Sequence, residues 1–132
     1  MQWMLLPLRR YADFQGRSRR LEYWMFTLFL TLVTLVAVLF ALMTGMMNAD
    51  DSQPGSFFLI LLGIGTIAVI VPSIAVQVRR FHDQDKTGWL VLLAFIPYIG
   101  GIIILVFMCL PGTRGTNRFG PDPKEDVSAA FR

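Results

Sequence analysis

One cysteine and one histidine occur in the 132 residues of the chain. The lone Cys109 excludes an internal disulfide. With His82 as its only imidazole, the chain cannot by itself build a zinc site of the usual nitrogen and sulfur ligands. Charge is also scarce: Asp, Glu, Lys and Arg make up 16% of the residues, against roughly 25% in soluble domains. Its distribution says more than its amount. Residues 21–78 contain no Lys or Arg, and residues 87–113 contain no charged side chain of either sign.

What is there fits a membrane. The chain is 55% apolar, and its twelve basic residues fall in three polar stretches. Arg9, Arg10, Arg17, Arg19 and Arg20 precede the first apolar block. Arg79, Arg80 and Lys86 follow the second, and Arg114, Arg118, Lys124 and Arg132 follow the third. The blocks cover residues 23–47, 57–78 and 89–110. A span needs roughly 20 predominantly apolar residues, and lipid offers the backbone no hydrogen bonds, so the first two blocks should be helices. The net charge of +3 then points to anionic headgroups, not nucleic acid, as the counter-charge. The first block far exceeds the roughly 7–15 apolar residues of a cleaved signal and reads as a retained anchor. A single membrane domain over residues 1–123 is expected, with a flexible charged tail at 124–132.

Orientation follows from the basic residues. The connection between the first two blocks carries Asp50 and Asp51 but no Lys or Arg. The positive-inside rule places it outside and the Arg-rich N-terminus in the cytoplasm. Blocks one and two then form a transmembrane hairpin. Residues 1–14 place Trp3, Pro7, Tyr11 and Phe14 at helical spacing, which suits either a surface-lying amphipathic helix or an unstructured tail.

The third block admits two readings. Its length suits a span, but its middle reads Ile96-Pro97-Tyr98-Ile99-Gly100-Gly101, and proline removes a helix hydrogen bond while glycine loosens the turn. A kinked span would leave four of the twelve basic residues outside, whereas a re-entrant hairpin keeps all of them inside. We expect the hairpin.

Three polar motifs sit at the block edges. The first is Gly16-Arg17-x-x-Arg20-x-Glu22-Tyr23-Trp24. Cations at a helix start oppose its dipole. Phosphate headgroups, or the carboxylates of Glu22, Asp83 and Asp122, must offset them. The second motif is Arg79-Arg80-Phe81-His82-Asp83, followed by Thr87-Gly88-Trp89. Thr87 is a candidate N-cap. His82 and Asp83 are adjacent and do not form a catalytic dyad by themselves, so His82 should tie this loop to another segment. The third is Pro111-Gly112-Thr113-x-Gly115-x-Asn117-Arg118-Phe119-Gly120-Pro121-Asp122-Pro123. Its punctuation precludes a helix and reads as a fixed loop.

Together, in this order and spacing, the motifs resemble those of the DUF805 family of small bacterial inner-membrane proteins. The likeness covers nearly the whole chain. Matched by position are Gly16, Arg17, Arg20, Glu22 and Trp24, then Arg80, His82, Asp83, Gly88 and Trp89, then Gly112, Asn117, Arg118, Gly120, Pro121, Asp122 and Pro123. Phe81, Thr87 and Phe119 stand where Leu, Ser and Tyr are usual, keeping size or capping role. The family's function is unknown, so the resemblance implies location and architecture and no reaction.

The expected fold is therefore all-α and integral to the membrane: two transmembrane helices and a Pro/Gly-interrupted third segment. The expected role is a non-catalytic module without cofactor or metal. It would bind anionic lipid headgroups or a membrane partner through Arg17, Arg20, Glu22, Arg80, His82, Asp83, Asn117, Arg118 and Asp122. Arg17, Arg20 and Arg80 would be its anion-binding groups. The alternatives are an oligomeric channel or transporter and, further off, an interfacial lipid-modifying enzyme. GFP and alkaline phosphatase fused after Pro123 test the topology. The hairpin predicts bright GFP and silent phosphatase, and a kinked span the reverse.

Overall fold

A computed structural model describes residues 2–43 and 55–125. Asp50, Asp51, Thr44 and the last part of the tail lie outside the described residues. Among the described residues the chain is helical, with α1 over Gln2–Arg9, α2 over Arg20–Met43 and α3 over Gly55–Asp83. A 3-10 helix over Gly88–Phe95 and α4 over Gly100–Cys109 follow. No strand forms among the described residues, only an isolated bridge between Asn117 and Gly120.

Helices α2 and α3, with 24 and 29 residues, exceed the roughly 20 that cross a bilayer core. Their apolar side chains face outward, not into a core: Val36 is 65% exposed and Ile67 67%. Surface of that kind needs a covering, and lipid supplies it. The all-helical membrane architecture expected from the sequence is therefore present.

The third block is a hairpin. Thr87 caps the 3-10 helix by accepting the Trp89 N–H. Past Phe95 the backbone extends at Ile96, passes through Pro97, and turns left-handed at Tyr98, with φ +67°. Helix α4 then runs back. The return works because residue 100 has no side chain: a Cβ there would lie 2.3 Å from the Leu93 carbonyl oxygen. At its far end, Leu110 and Cys109 meet Arg80 and Arg20. Both ends of the block therefore lie beside the start of α2 and the end of α3. Phe81, Ile104 and Met108 form the buried centre, flanked by Tyr23, Leu90, Leu93 and Phe107.

The N-terminal segment is neither a free tail nor a helix lying alone on a surface. Helix α1 stops at Arg9, short of Tyr11 and Phe14, and buries Leu6 and Pro7. It packs on α2 and α3, with Leu8 set beside Phe29, Leu30 and Val69. The chain beyond it repairs a defect in α3. Pro72 lies inside α3 and has no N–H for the carbonyl of Ala68, one turn earlier. The Tyr11 hydroxyl donates to that carbonyl at 2.5 Å.

Removing that donor leaves an acceptor unsatisfied in an apolar setting, at a cost of about 1–3 kcal/mol. Tyr11→Phe should therefore lower thermal stability in detergent. The loss should shrink in a Pro72→Ala background, where α3 supplies its own N–H, and a double-mutant cycle of melting curves measures the difference.

Candidate functional site

The three polar motifs converge where α3 ends, and the Asp83 carboxylate is their centre. Asp83 Oδ1 accepts from Arg17 Nε at 3.0 Å, and Oδ2 accepts from Arg80 Nη1. Gly112 passes directly over this carboxylate: a Cβ on Gly112 would fall 1.9 Å from Oδ2. The helix end itself is closed by Asp85, left-handed at φ +56°. The Asp85 and Lys86 N–H groups return to the His82 and Phe81 carbonyls, which satisfies acceptors that a helix C-terminus leaves open. The Asp83 carbonyl takes bonds from the Thr113 backbone N–H at 2.8 Å and the Thr113 hydroxyl at 3.1 Å.

One more arginine, Arg79, completes a buried knot. Arg17 also donates to the carbonyls of Gly115, at 2.6 Å, and Thr113, at 2.5 Å. Arg79 donates to Ser18 Oγ at 3.0 Å, Glu22 Oε1 at 3.0 Å and the Asp13 carbonyl at 2.9 Å. The Ser18 N–H in turn donates to the Arg79 carbonyl. Arg80 reaches the Leu110 carbonyl. Each guanidinium thus ties together segments far apart in sequence, using the planar fork of donors that lysine lacks.

The C-terminal loop is held as firmly. Asp122 accepts the Lys124 N–H at 2.9 Å and the Gly115 N–H at 3.1 Å. Those N–H groups, the Lys124 one first, together with the Arg17 charge, keep its carboxyl below the ordinary carboxylate range. Asn117 Nδ2 donates to the His82 carbonyl and to Thr113 Oγ1, both at 2.9 Å. The Phe119 ring lies flat on the His82 imidazole, 3.9 Å between centroids. His82 Nδ1 donates to the Gly16 carbonyl at 3.2 Å.

Eight of the nine expected site residues therefore come together, with unequal exposure. Arg17, Glu22, Arg80, Asp83 and Asp122 are buried. Arg118 stays exposed, paired with Asp85 at 3.2 Å and resting over the Phe119 ring. Arg20, the ninth, lies outside the knot, exposed, with one bond from Nη1 to the Cys109 carbonyl. Arg79, Ser18 and Thr113 were not among the expected residues. A signal for Arg79 was present: adjacent arginines on a helix point about 100° apart, so Arg79 and Arg80 could not share one partner, and Glu22 was left over.

The charges of the knot balance. Arg17, Arg79 and Arg80 are buried with Glu22, Asp83 and Asp122. Nothing in this balance calls for an external anion. Arg17 donates to Asp83 and to main-chain carbonyls, and Arg80 spends Nη1 on Asp83 and Nη2 on the Leu110 carbonyl, leaving its buried Nε without a partner among the described residues. These two arginines act as structural ties. Buried ionised groups persist only when paired and hydrogen-bonded, and this arrangement meets that condition.

Helices of this length and exposure, gathered at one end by a charged knot, define a small helical membrane protein. The family model "Protein of unknown function (DUF805)" matches residues 11–121, and the chain belongs to that family. It is 48% identical to the inner membrane protein YhaH of Escherichia coli (strain K12) over 124 residues, covering 94% of this chain and 98% of the relative. It is 43% identical to the inner membrane protein YhaI of the same strain, covering 94% and 97%. No solved structure matches.

Breaking a buried ion pair from one side costs about 3–5 kcal/mol. Asp83→Ala and Arg80→Ala should each lower the unfolding midpoint sharply in detergent. Gly112→Ala should act in the same direction by pushing the loop off Asp83. Arg20→Gln, at an exposed position, should leave the midpoint near that of the parent.

Proposed function

We propose that the chain is a non-catalytic inner-membrane module whose Arg-rich end lies in the cytoplasm and binds anionic lipid headgroups. The observation that carries this reading is the charge left over once the knot is closed. Among the described residues, eight unburied Lys and Arg side chains face three unburied carboxylates, Asp13, Asp85 and Glu125. Most of them belong to the segments tied to the knot at the start of α2 and the end of α3. Arg10–Asp13 and Arg118–Asp85 cancel as surface pairs, which leaves Arg9, Arg19, Arg20, Lys86, Arg114 and Lys124 to face the headgroup layer. Each basic residue near an anionic surface adds on the order of 1 kcal/mol. The anion-binding role thus passes from Arg17 and Arg80 to side chains outside the knot, with Arg20 retained.

His82 supports the non-catalytic reading. Its Nδ1 is committed to Gly16 and its ring face to Phe119, so it serves as a strut. The channel reading draws on one observation, a groove of 590 Å³ between α2 and α3 with Thr27, Thr31, Thr34, Ser73 and Gln77 along it. Three of those hydroxyls bond back to their own helix, Thr27 to Tyr23, Thr31 to Thr27 and Ser73 to Val69. Among the described residues no Asp, Glu, Lys, Arg or His, the usual marks of a transport path, lines it.

Native mass spectrometry of the full chain, extracted from bilayers of phosphatidylglycerol and phosphatidylethanolamine, tests the proposal. The anionic lipid should be retained in clear excess over its share of the bilayer. Retention in proportion to the mixture would overturn the reading.

A further inference from the structure

Positive charge is not spread evenly over the rim. Arg19, Arg20 and Lys124 line one recess of 810 Å³, together with Leu21, Trp24 and Cys109, and among the described residues no carboxylate lines it. The cations come from two segments, the start of α2 and the C-terminal loop. Both segments are held by the buried knot. Arg19 Nε donates to the Pro123 carbonyl at 2.5 Å, and its guanidinium rests over the Trp3 ring at 5.5 Å. The Lys124 backbone is fixed by Asp122. Arg20 uses only Nη1, toward the Cys109 carbonyl. Its other guanidinium N–H groups have no partner among the described residues. The first turn of α2, rich in unbonded N–H groups, adds its positive end to the same place.

The rest of the recess is apolar and directional. Leu21 is 47% and Trp24 39% exposed, and along the same face of α2 Leu28 and Leu32 are 46% and 48% exposed. Their spacing of three, four and four residues makes a continuous stripe. The stripe leaves the cations and runs down the apolar helix. A free phosphate would use only the cations, and an acidic peptide would have no use for a stripe inside the bilayer. An anionic phospholipid uses both.

We propose that this recess is a built lipid site: Arg19, Arg20 and Lys124 hold the phosphate of an anionic glycerophospholipid, and one acyl chain lies along Leu21, Trp24, Leu28 and Leu32. The inference rests on the headgroup-binding reading and narrows it to one place. Because the knot fixes the two backbone segments that carry these cations, binding has only their side chains, and no loop, left to order.

The test uses the full chain and native mass spectrometry with phosphatidylglycerol as probe. Arg19→Gln, Arg20→Gln and Lys124→Gln combined should lower its retention at least tenfold. Arg10→Gln with Arg118→Gln, which remove charges already spent on Asp13 and Asp85, should leave most of it. Trp24→Ala should weaken long-chain phosphatidylglycerol more than a short-chain, water-soluble analogue. Should the triple variant melt early, Arg20→Gln with Lys124→Gln alone carries the comparison. Equal losses in the recess and control variants would overturn this site and leave general headgroup binding standing. Absence of any phosphatidylglycerol preference in the parent chain would overturn both. Displacement of the lipid by inorganic phosphate at similar concentration would overturn the lipid assignment in favour of a phosphate site.

Discussion

Everything at the polar end of this molecule depends on one carboxylate having two arginines. Asp83 is buried where α3 ends, beside an apolar hairpin, and an isolated charge there would cost several kcal/mol. Arg80, one turn back on the same helix, supplies one partner, and Arg17, brought in from before α2, supplies the other. That second bond obliges the N-terminal segment to dock. Arg17 has donors to spare, and they close on Thr113 and Gly115, so the C-terminal loop docks as well. Gly112 must then be a glycine, because the loop lies against the carboxylate itself.

The same economy of partners governs the membrane part. Lipid gives the backbone nothing to bond with, so each interruption of a helix has to be repaired within the chain. The defect that Pro72 makes in α3 is met by the Tyr11 hydroxyl. The break at Pro97 lets the third block double back over Gly100 instead of crossing. Doubling back returns Leu110 and the loop behind it to the knot, where Arg80 takes up the Leu110 carbonyl. The hairpin and the knot are therefore mutually dependent: without the return, the C-terminal motif would end on the opposite face from Arg17 and Asp83.

The division between buried and exposed arginines gives the functional picture its shape. Cations inside the knot are matched by carboxylates, so they organise the surface without adding to it. Those left outside are the charges on which the proposed headgroup binding rests. Sequence position does not separate the two groups: Arg17 and Arg20 stand three residues apart in one motif, yet one is 6% exposed and the other lies in the open.

The two long helices, their hairpin connectivity and the Thr87 cap were legible in the sequence, because hydropathy, length and local capping are properties of short stretches. The bend in the third block was legible as a choice between two outcomes. Local chemistry shows that a helix breaks at Pro97 and Gly100, but not which way the chain leaves the break. Part of the membership of the polar cluster could also be read from motifs at the block edges, although Arg79, Ser18 and Thr113 were missed and Arg20 stands apart. Which arginine pairs with which carboxylate could not. Charge attraction reaches across sequence without preferred spacing, and Arg79 with Glu22, or Arg17 with Asp83, is decided only when packed helices fix the directions of their side chains. The sequence by itself determined a membrane protein with its chemistry at one face. The tertiary structure alone decided which charges at that face are consumed in holding it together and which remain to act.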